Sequence, residues 1–113
     1  MAGNVRSELV RDSLVISISG YADLSLMAEV SSLFYSNLEN GRVRFVFDFK
    51  GMTLINSSAL GELLGMISEG LGNCEIRFAF CSIPSACKLG MDSIGLLNHV
   101  DEYANVSEAI KTD

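Results

Sequence analysis

The chain has 113 residues, of which 49% are hydrophobic and 19% are charged, and this balance predicts one globular domain spanning residues 1–113. Fourteen acidic residues against eight Lys and Arg give a formal net charge of −6, and the basic residues are scattered singly, so we expect no nucleic-acid binding. No apolar run reaches the roughly 18 residues of a membrane span, and residues 1–9 lack the apolar core of a secretory signal; we therefore expect no membrane insertion and a cytoplasmic protein.

The first half of the chain alternates strand and helix patterns. Apolar residues at every second position predict a half-buried strand over residues 14–20 and a central strand over residues 43–49. A short polar connection over residues 21–25 follows the first strand. The helix predicted between the two strands ends at Asn40-Gly41, and its helically spaced apolar residues are Leu26, Val30, Leu33, Phe34 and Leu38.

The middle of the chain continues the alternation. Residues 51–55 are interpreted as a connection to a second helix, which ends near Gly70 and Gly72. The predicted apolar stripe of this helix consists of Leu60, Leu63, Leu64, Ile67 and Leu71. Ile76, Phe78 and Phe80 then predict a third strand by their alternation.

The last third is marked by Pro84, the only proline, which suits the first turn of a short helix because its missing amide would be unpaired there. Residues 98–103 predict a brief last strand. A terminal helix is indicated by Val106, Ala109 and Ile110, and Asn105 with Glu108 has the spacing of a capping box.

This order of elements predicts an α/β fold. Connections of helical length favour parallel neighbours joined by right-handed crossovers. We therefore expect a mainly parallel or mixed sheet of about four to five strands, with about four helices mostly on one face.

The segment 47–61, FDFKGMTLINSSALG, resembles the signature of the STAS domain family, especially its anti-sigma-factor antagonists, in which a strand leads into an Asp-Ser-Ser-Gly-type turn and a helix. Residues 20–24, GYADL, resemble the family's Gly-x-x-Asp entry to the first helix, and residues 106–110, VSEAI, resemble its terminal helix. The resemblance spans nearly the whole chain and implies a single STAS-like domain.

The resemblance also implies a function, that of an anti-sigma-factor antagonist in a partner-switching pathway. The unphosphorylated form would bind an anti-sigma factor that is also a serine kinase and so release a sigma factor, and a PP2C-like phosphatase would be a second partner. The phosphorylated residue carried over from the family is Ser58, with Ser57 as second choice. Asn56 stands where the family usually has Asp, and Ala59 stands where it usually has Gly.

The helical phase separates the two serines by role. With Leu60 at the centre of the buried stripe, about 100° of rotation per residue defines the opposite side of the helix. The residues placed there are Ser58, Glu62, Gly65 and Glu69. Ser57 falls nearer the edge of the stripe, where its hydroxyl would compete with Asn56 as the helix cap. We therefore expect Ser58 to be exposed and Ser57 to be structural.

A partner-binding surface is expected around Ser58. A glycine surface at Gly61 and Gly65 would let a partner's backbone approach closely, or the two glycines are simply tolerated; both interpretations remain open. Asp23 is included in the surface because the resemblance places its family counterpart at the same end of the sheet; its alternative role is helix capping. Asp48 either belongs to an acidic, partner-facing rim at that end or only solvates the end of a strand. The complete predicted surface is Asp23, Asn56, Ser57, Ser58, Ala59, Gly61, Glu62 and Gly65.

Catalysis, metals and cofactors are not expected. The only histidine, His99, has no identifiable partner, and a triad of Ser58, His99 and an aspartate lacks a G-x-S-x-G elbow. No phosphate-binding glycine motif occurs. The three cysteines show no metal-ligand or redox spacing, and we interpret them as reduced, buried thiols: Cys74, Cys81 and Cys87.

Two further possibilities stay open. The same fold and surface would serve a STAS adaptor that never becomes phosphorylated, either a scaffold subunit of a signalling assembly or a transporter accessory. The chain is expected to be a monomer or a weak homodimer, since the less covered sheet face offers a surface to a second copy.

Overall fold

The computed structural model describes residues 3–72 and 75–111. The elements in chain order are β1 (Asn4–Val10), β2 (Ser13–Ala22), α1 (Leu24–Glu39), β3 (Arg44–Ile55), α2 (Ser57–Gly70), β4 (Arg77–Cys81), α3 (Ser85–Ser93), a 3-10 turn (Leu96–Asn98), β5 (Asp101–Tyr103) and α4 (Val106–Ile110). None of the described helices is both long enough and apolar enough to cross a bilayer.

The strands form one mixed sheet in the order β1-β2-β3-β4-β5. β1 pairs antiparallel with β2, while β2, β3, β4 and β5 run parallel to one another. Each parallel pair is joined through a helix, as the alternating pattern requires. The predicted α/β fold with a mixed sheet of four to five strands is confirmed.

The two faces of the sheet are covered unequally. α1, α2 and α3 pack on one face over a core whose centre is a cluster of phenylalanines, with Phe34 and Phe45 ring centroids 4.7 Å apart and Phe49 and Phe80 4.8 Å apart. α4 alone packs on the other face, where Val15 and Val46 are buried with it. Each large apolar side chain buried in this way stabilises the fold by about 1.5–3 kcal/mol.

The first strand, β1, was not predicted from the sequence. Only Val5 and Val10 of its seven residues are half-buried and the others are exposed, so β1 lacks the apolar alternation that marks a strand. The turn to β2, over Arg11 and Asp12, also lacks the Asn-Gly signal of a tight hairpin. Arg11 instead adopts a positive φ of 55°.

The predicted connection over residues 51–55 is wrong, because β3 continues through it to Ile55. β2 likewise continues to Ala22, beyond its predicted end, and the two strands stay paired with register shifts along the way. Gly51 has no side chain to mark a strand, but its backbone lies so close to Ser19 that a Cβ would be 2.7 Å from the Ser19 Cβ. The close approach of the two strands therefore explains this glycine.

The C-terminal part follows the prediction more closely. Pro84 precedes the short helix α3. β5 occupies only the last three residues of the segment predicted as a strand, and a 3-10 turn ends at Asn98, the first residue of that segment. At α4, the Asn105 Oδ1 accepts a hydrogen bond from the Glu108 N–H over 2.9 Å. The Glu108 carboxylate accepts from the Ala104 N–H at 3.4 Å, so the capping box is offset by one residue.

Candidate functional site

The register of β2 and β3 brings the starts of α1 and α2 together. Ala22 and Ile55, the last residues of the two strands, are direct neighbours in the sheet. The Asn56 N–H donates to the Ala22 carbonyl over 3.1 Å. Because Asp23 and Asn56 follow these residues directly, both helices begin at the carboxyl ends of adjacent parallel strands, where ligand and partner sites of α/β sheets commonly lie.

Asp23 and Asn56 both cap helices. The Asp23 Oδ1 accepts from the Leu26 N–H over 2.9 Å, and the Asn56 Oδ1 accepts from the Ala59 N–H over 2.9 Å. Each side chain thereby satisfies one of the free amides of a helix N-terminus, a contribution of about 0.5–2 kcal/mol. The capping role considered for Asp23 is confirmed, and Asn56 holds the serine turn.

Ser57 and Ser58 are the first two residues of α2, and both are exposed. In the part of the chain that the structure describes, neither hydroxyl has a hydrogen-bond partner, and the cap is made by Asn56. The prediction that Ser57 turns inward as a structural hydroxyl is therefore wrong. Burial does not separate the two serines.

The error lies in the predicted phase of α2. Its buried residues are Ala59, Leu63, Met66, Ile67 and Gly70. Leu60 and Leu64 are only half-buried, and Leu71 is 43% exposed. Ala59, predicted to lie on the partner-binding surface, is fully buried, so that prediction is wrong. It and Gly70 were left out of the predicted stripe because they are small, yet both face the core.

One flank of α2 is attached to α1. Glu62, predicted to project outward, is half-buried and accepts a hydrogen bond from the buried Ser31 Oγ over 2.8 Å. One turn of the helix away from Gly65, Glu69 accepts from the Tyr35 hydroxyl over 2.5 Å. The hydrogen bond to Glu69, together with burial and the charges of Glu69 and Glu62, raises the pKa of Tyr35 to about 12.

The outer face of α2 carries the predicted glycines. Gly61 and Gly65 are exposed, and a Cβ at either position would meet no atom within 4 Å. Neither has a positive φ, so neither packing nor backbone conformation requires glycine there. The serine pair and these two glycines form a flat, open strip along the helix, hereafter the α2 outer strip (Ser57, Ser58, Gly61, Gly65).

Large apolar side chains lie exposed at the same end of the sheet, and sequence reasoning did not identify them. Tyr21 is 38% exposed and Leu54 is 50% exposed, and the two are paired neighbours on β2 and β3. Leu24, the first residue of α1, is 50% exposed. Their position in the sequence could have identified them, because all three are apolar residues that lie next to the polar cap residues in segments predicted to be connections.

The other candidate groups lie elsewhere. His99 borders a shallow depression with Leu71, at the C-terminal end of α2, whereas Ser58 lies at its start; the helix rise places the two ends about 20 Å apart. The triad considered from the sequence is therefore not assembled. Asp48 does not end its strand, as the sequence suggested, but lies within β3 beside Cys81.

The thiols that the structure describes are inert in character. Cys81 and Cys87 are free and buried, as predicted, and Cys74 lies outside the described residues. Burial, with a smaller effect of the Asp48 charge, raises the pKa of Cys81 to about 12, and burial raises the pKa of Cys87. Across residues 3–72 and 75–111, no three His, Cys, Asp or Glu side chains are grouped as metal ligands.

Solved structures share this fold over nearly the full chain. An anti-sigma factor antagonist from Mycobacterium paratuberculosis has 16% identity and a TM-score of 0.84, covering 98% of this chain and 93% of the other. An anti-sigma-factor antagonist (STAS) domain protein from Planctomyces limnophilus has 18% identity and a TM-score of 0.81, with 96% and 95% covered. The Bacillus cell fate determinant SpoIIAA in its phosphorylated form has 19% identity and a TM-score of 0.76, with 96% and 98% covered.

These similarities are similarities of fold, because the identities are low. No protein-family model and no curated protein sequence matches the chain. The resemblance to STAS domains inferred from the sequence is confirmed in the architecture: the chain has the fold of the anti-sigma-factor antagonist STAS structures.

Proposed function

We propose that the chain is a cytoplasmic anti-sigma-factor antagonist, a binding protein and not an enzyme. Its unphosphorylated form binds a serine kinase anti-sigma factor, which thereby releases a sigma factor. Phosphorylation of Ser58 blocks this binding, and a PP2C-like phosphatase restores it. The proposed binding surface combines the α2 outer strip with Asp23, Asn56, Glu62 and the exposed Tyr21, Leu24 and Leu54; the buried Ala59 is not part of it.

The observation that carries the proposal is the state of the Ser58 hydroxyl. It is exposed at the second position of α2, and the neighbouring cap is supplied by Asn56; Ser57 is equally exposed, and the choice of Ser58 over Ser57 follows the resemblance to STAS domains. Ser58 therefore has no task in holding the helix start, and a kinase can reach it without unfolding the turn. The SpoIIAA structure in its phosphorylated form, which has the same fold, supports a role for phosphorylation in this architecture.

A phosphate on Ser58 changes the surface more than the fold. It adds roughly −1.5 to −2 charges at a helix N-terminus, where free amides and the helix dipole stabilise an anion. A partner that packs on Leu24 and Leu54, however, would have to bury a doubly charged group among apolar side chains. The expected result is loss of binding by a protein that remains folded.

The test compares charge at Ser58 with the same charge elsewhere on α2. Ser58→Ala should bind the serine kinase anti-sigma factor of the same organism, and Ser58→Asp should bind it roughly tenfold or more weakly. The matched control is Ser68→Asp, since Ser68 is exposed on the same helix about 15 Å from Ser58; it should bind like the wild type. Isothermal titration calorimetry measures all three, and equal binding by the two Ser58 variants contradicts the switch.

Phosphorylation is tested separately with ATP and the same kinase. Intact-mass measurement should show one phosphoryl group, fragment spectra should place it on Ser58, and Ser58→Ala should remove it while Ser57→Ala should not. Phosphate on Ser57 would contradict the assignment of the acceptor. The adaptor alternative predicts no phosphate in protein isolated from its native cells under any growth condition, and co-purification with a scaffold or transporter.

A further inference from the structure

The free edge of the sheet at β1 is long, regular and exposed. β1 has seven residues paired with β2 from Asn4↔Ser19 to Val10↔Ser13. Its other side has no neighbouring strand in the part of the chain that the structure describes. Leu9, near its end, is 48% exposed. Such an edge presents unpaired N–H and C=O groups that can pair with another strand.

The backbone groups that point outward can be assigned from the hairpin. Val10 and Ser13 flank a two-residue turn and exchange hydrogen bonds as its closing pair. Pairs alternate along an antiparallel ladder, so the even-numbered residues of β1 bond to β2. The N–H and C=O groups of Val5, Ser7 and Leu9 therefore point to the free edge.

We propose that this edge binds a second copy of the chain, by antiparallel pairing of β1 with β1 about a two-fold axis at Ser7. In this register Ser7 faces Ser7 of the second copy, and Val5 faces Leu9. The three outward-pointing residues of each copy then form about six hydrogen bonds in the pattern of an antiparallel ladder. The two sheets join into one continuous sheet with the helix-covered faces on the same side.

The charges on β1 are self-complementary in this register. Arg6 of each copy lies opposite Glu8 of the other, which gives two Arg-Glu pairs. These residues belong to the pairs that do not exchange backbone hydrogen bonds, in which the facing side chains lie closer together than in hydrogen-bonded pairs. Both side chains are exposed, and neither has an ion-pair partner within the described residues. Charges on an edge strand usually prevent such pairing, but opposite charges placed symmetrically about Ser7 favour this one.

Apolar contact accompanies the charge pairs. Val5, Ser7 and Leu9 share the face of the sheet that the helices cover, because they pair with Ile18, Ile16 and Leu14 of the core. Pairing of Leu9 with Val5 of the second copy covers an exposed leucine with a half-buried valine on that face. Both halves of the ladder therefore gain from the same register.

The opposite edge of the sheet lacks these properties. β5 has three residues, Asp101–Tyr103. The equivalent two-fold pairing about Glu102, whose carboxylate is ion-paired with Lys88 over 2.8 Å, would place one glutamate directly against the other with no cation of the second copy opposite it. Like charges opposite each other destabilise a strand pair, so the sheet offers one self-complementary edge, at β1.

The proposed dimer leaves the α2 outer strip of both copies free. A two-fold axis perpendicular to the sheet reverses the strand direction in the second copy. The carboxyl ends of β2 and β3, where Ser58 lies, then point in opposite directions. This inference does not depend on the proposed function, because it uses only residues of β1.

The test is a charge exchange across the proposed axis. In a dimer of Arg6→Glu, a glutamate at position 6 faces the glutamate at position 8 of the other copy, and in a dimer of Glu8→Arg two arginines face each other in the same way. Because like charges then oppose each other, each single variant should weaken self-association by roughly tenfold or more. Mixed in equal amounts, the two variants should form a heterodimer, because each Glu then faces an Arg. The double variant Arg6→Glu/Glu8→Arg should dimerise like the wild type.

Sedimentation equilibrium of the full chain measures these masses, with the wild type expected to approach twice the 12.2 kDa monomer as concentration rises. Circular dichroism confirms that each variant is folded, which is expected for exposed edge positions. Ser7→Pro provides a second probe, since it removes an outward N–H without removing a bond to β2, and should also abolish dimerisation. A monomeric wild type at all concentrations, or single variants that dimerise as well as it does, overturns the proposal.

Discussion

The two ends of α2 are built in opposite ways. At the start, Ser57 and Ser58 are exposed, and their hydroxyls are unpaired within the described residues. At the other end, Gly70 is buried so closely against the core that a Cβ would lie 2.4 Å from the Phe78 Cζ and 3.4 Å from the Phe34 Cζ. The same helix therefore has one end that is chemically accessible and one that is fixed by packing.

The difference teaches how a fold can present exposed hydroxyl groups without depending on them for stability. The position of α2 is set by the buried residues along its inner face, from Ala59 to Gly70, and by its hydrogen bonds to α1, not by the serines. A change at the start of the helix then alters the surface at little cost to the core. This comparison predicts unequal effects of small substitutions along one helix.

The largest effect is expected for Gly70→Ala. The added methyl group overlaps the Phe78 ring, which belongs to the phenylalanine cluster, and overpacking of this kind costs about 1–3 kcal/mol. The matched control is Gly61→Ala near the start of the helix, where a Cβ has open space and the higher helix propensity of alanine should stabilise by up to about 1 kcal/mol. Urea unfolding followed by circular dichroism measures both, and equal effects would show that the two ends of α2 do not differ.

An intermediate effect is expected for Asn56→Ala at the accessible end. Loss of the Oδ1 that accepts from the Ala59 N–H should reduce the free energy of unfolding by about 1 kcal/mol. Asn56→Asp keeps the acceptor and adds a negative charge that the helix dipole favours, so its stability at neutral pH should match or exceed the wild type. If Asn56→Ala were neutral in urea unfolding, the serine turn would be held by something other than this cap.

The smallest effect is expected for Tyr35→Phe, in α1, which faces Glu69 on the flank of α2. It removes the hydrogen bond to Glu69 and should reduce the free energy of unfolding by about 0.5–1 kcal/mol near neutral pH. Because the pKa of Tyr35 is raised to about 12 in the folded state, its contribution is present below pH 10 and is lost as the pH rises through about 12. The difference in stability between the variant and the wild type should therefore shrink over that range, and a constant difference would contradict the role of this hydrogen bond.

The order of elements from β2 onward follows from the sequence because its signals are strong. Alternation in β2 and β3 and helical spacing in α1 arise from residues that are buried in the core, such as Ile16, Phe45 and Phe34. The hairpin strand β1 carries no such signal, since it contacts the sheet mainly through its backbone. Its presence depends on pairing with β2, which local periodicity does not report.

The position of the serine turn was predictable from the sequence, but the contacts around it were not. The family-like segment located Asn56, Ser57 and Ser58, whereas the phase of α2 was misjudged because Ala59 and Gly70 do not look like core residues in a sequence. The inward contact of Glu62 depends on Ser31, which is 31 positions away. Contacts of this kind become visible only when α1 and α2 are placed side by side.

The hydrogen bond between Asn56 and Ala22 joins the starts of two helices. Asn56 caps α2 with its side chain and holds the end of β2 with its N–H, and Asp23, the cap of α1, is the next residue after Ala22. The starts of α1 and α2 are therefore joined through the backbone at Ala22 and Asn56, in addition to the side-chain hydrogen bonds of Glu62 and Glu69 that join the two helices further along. Under the proposed phosphorylation of Ser58, we therefore expect the start of α1 to change together with the start of α2, although the two segments are distant in the chain.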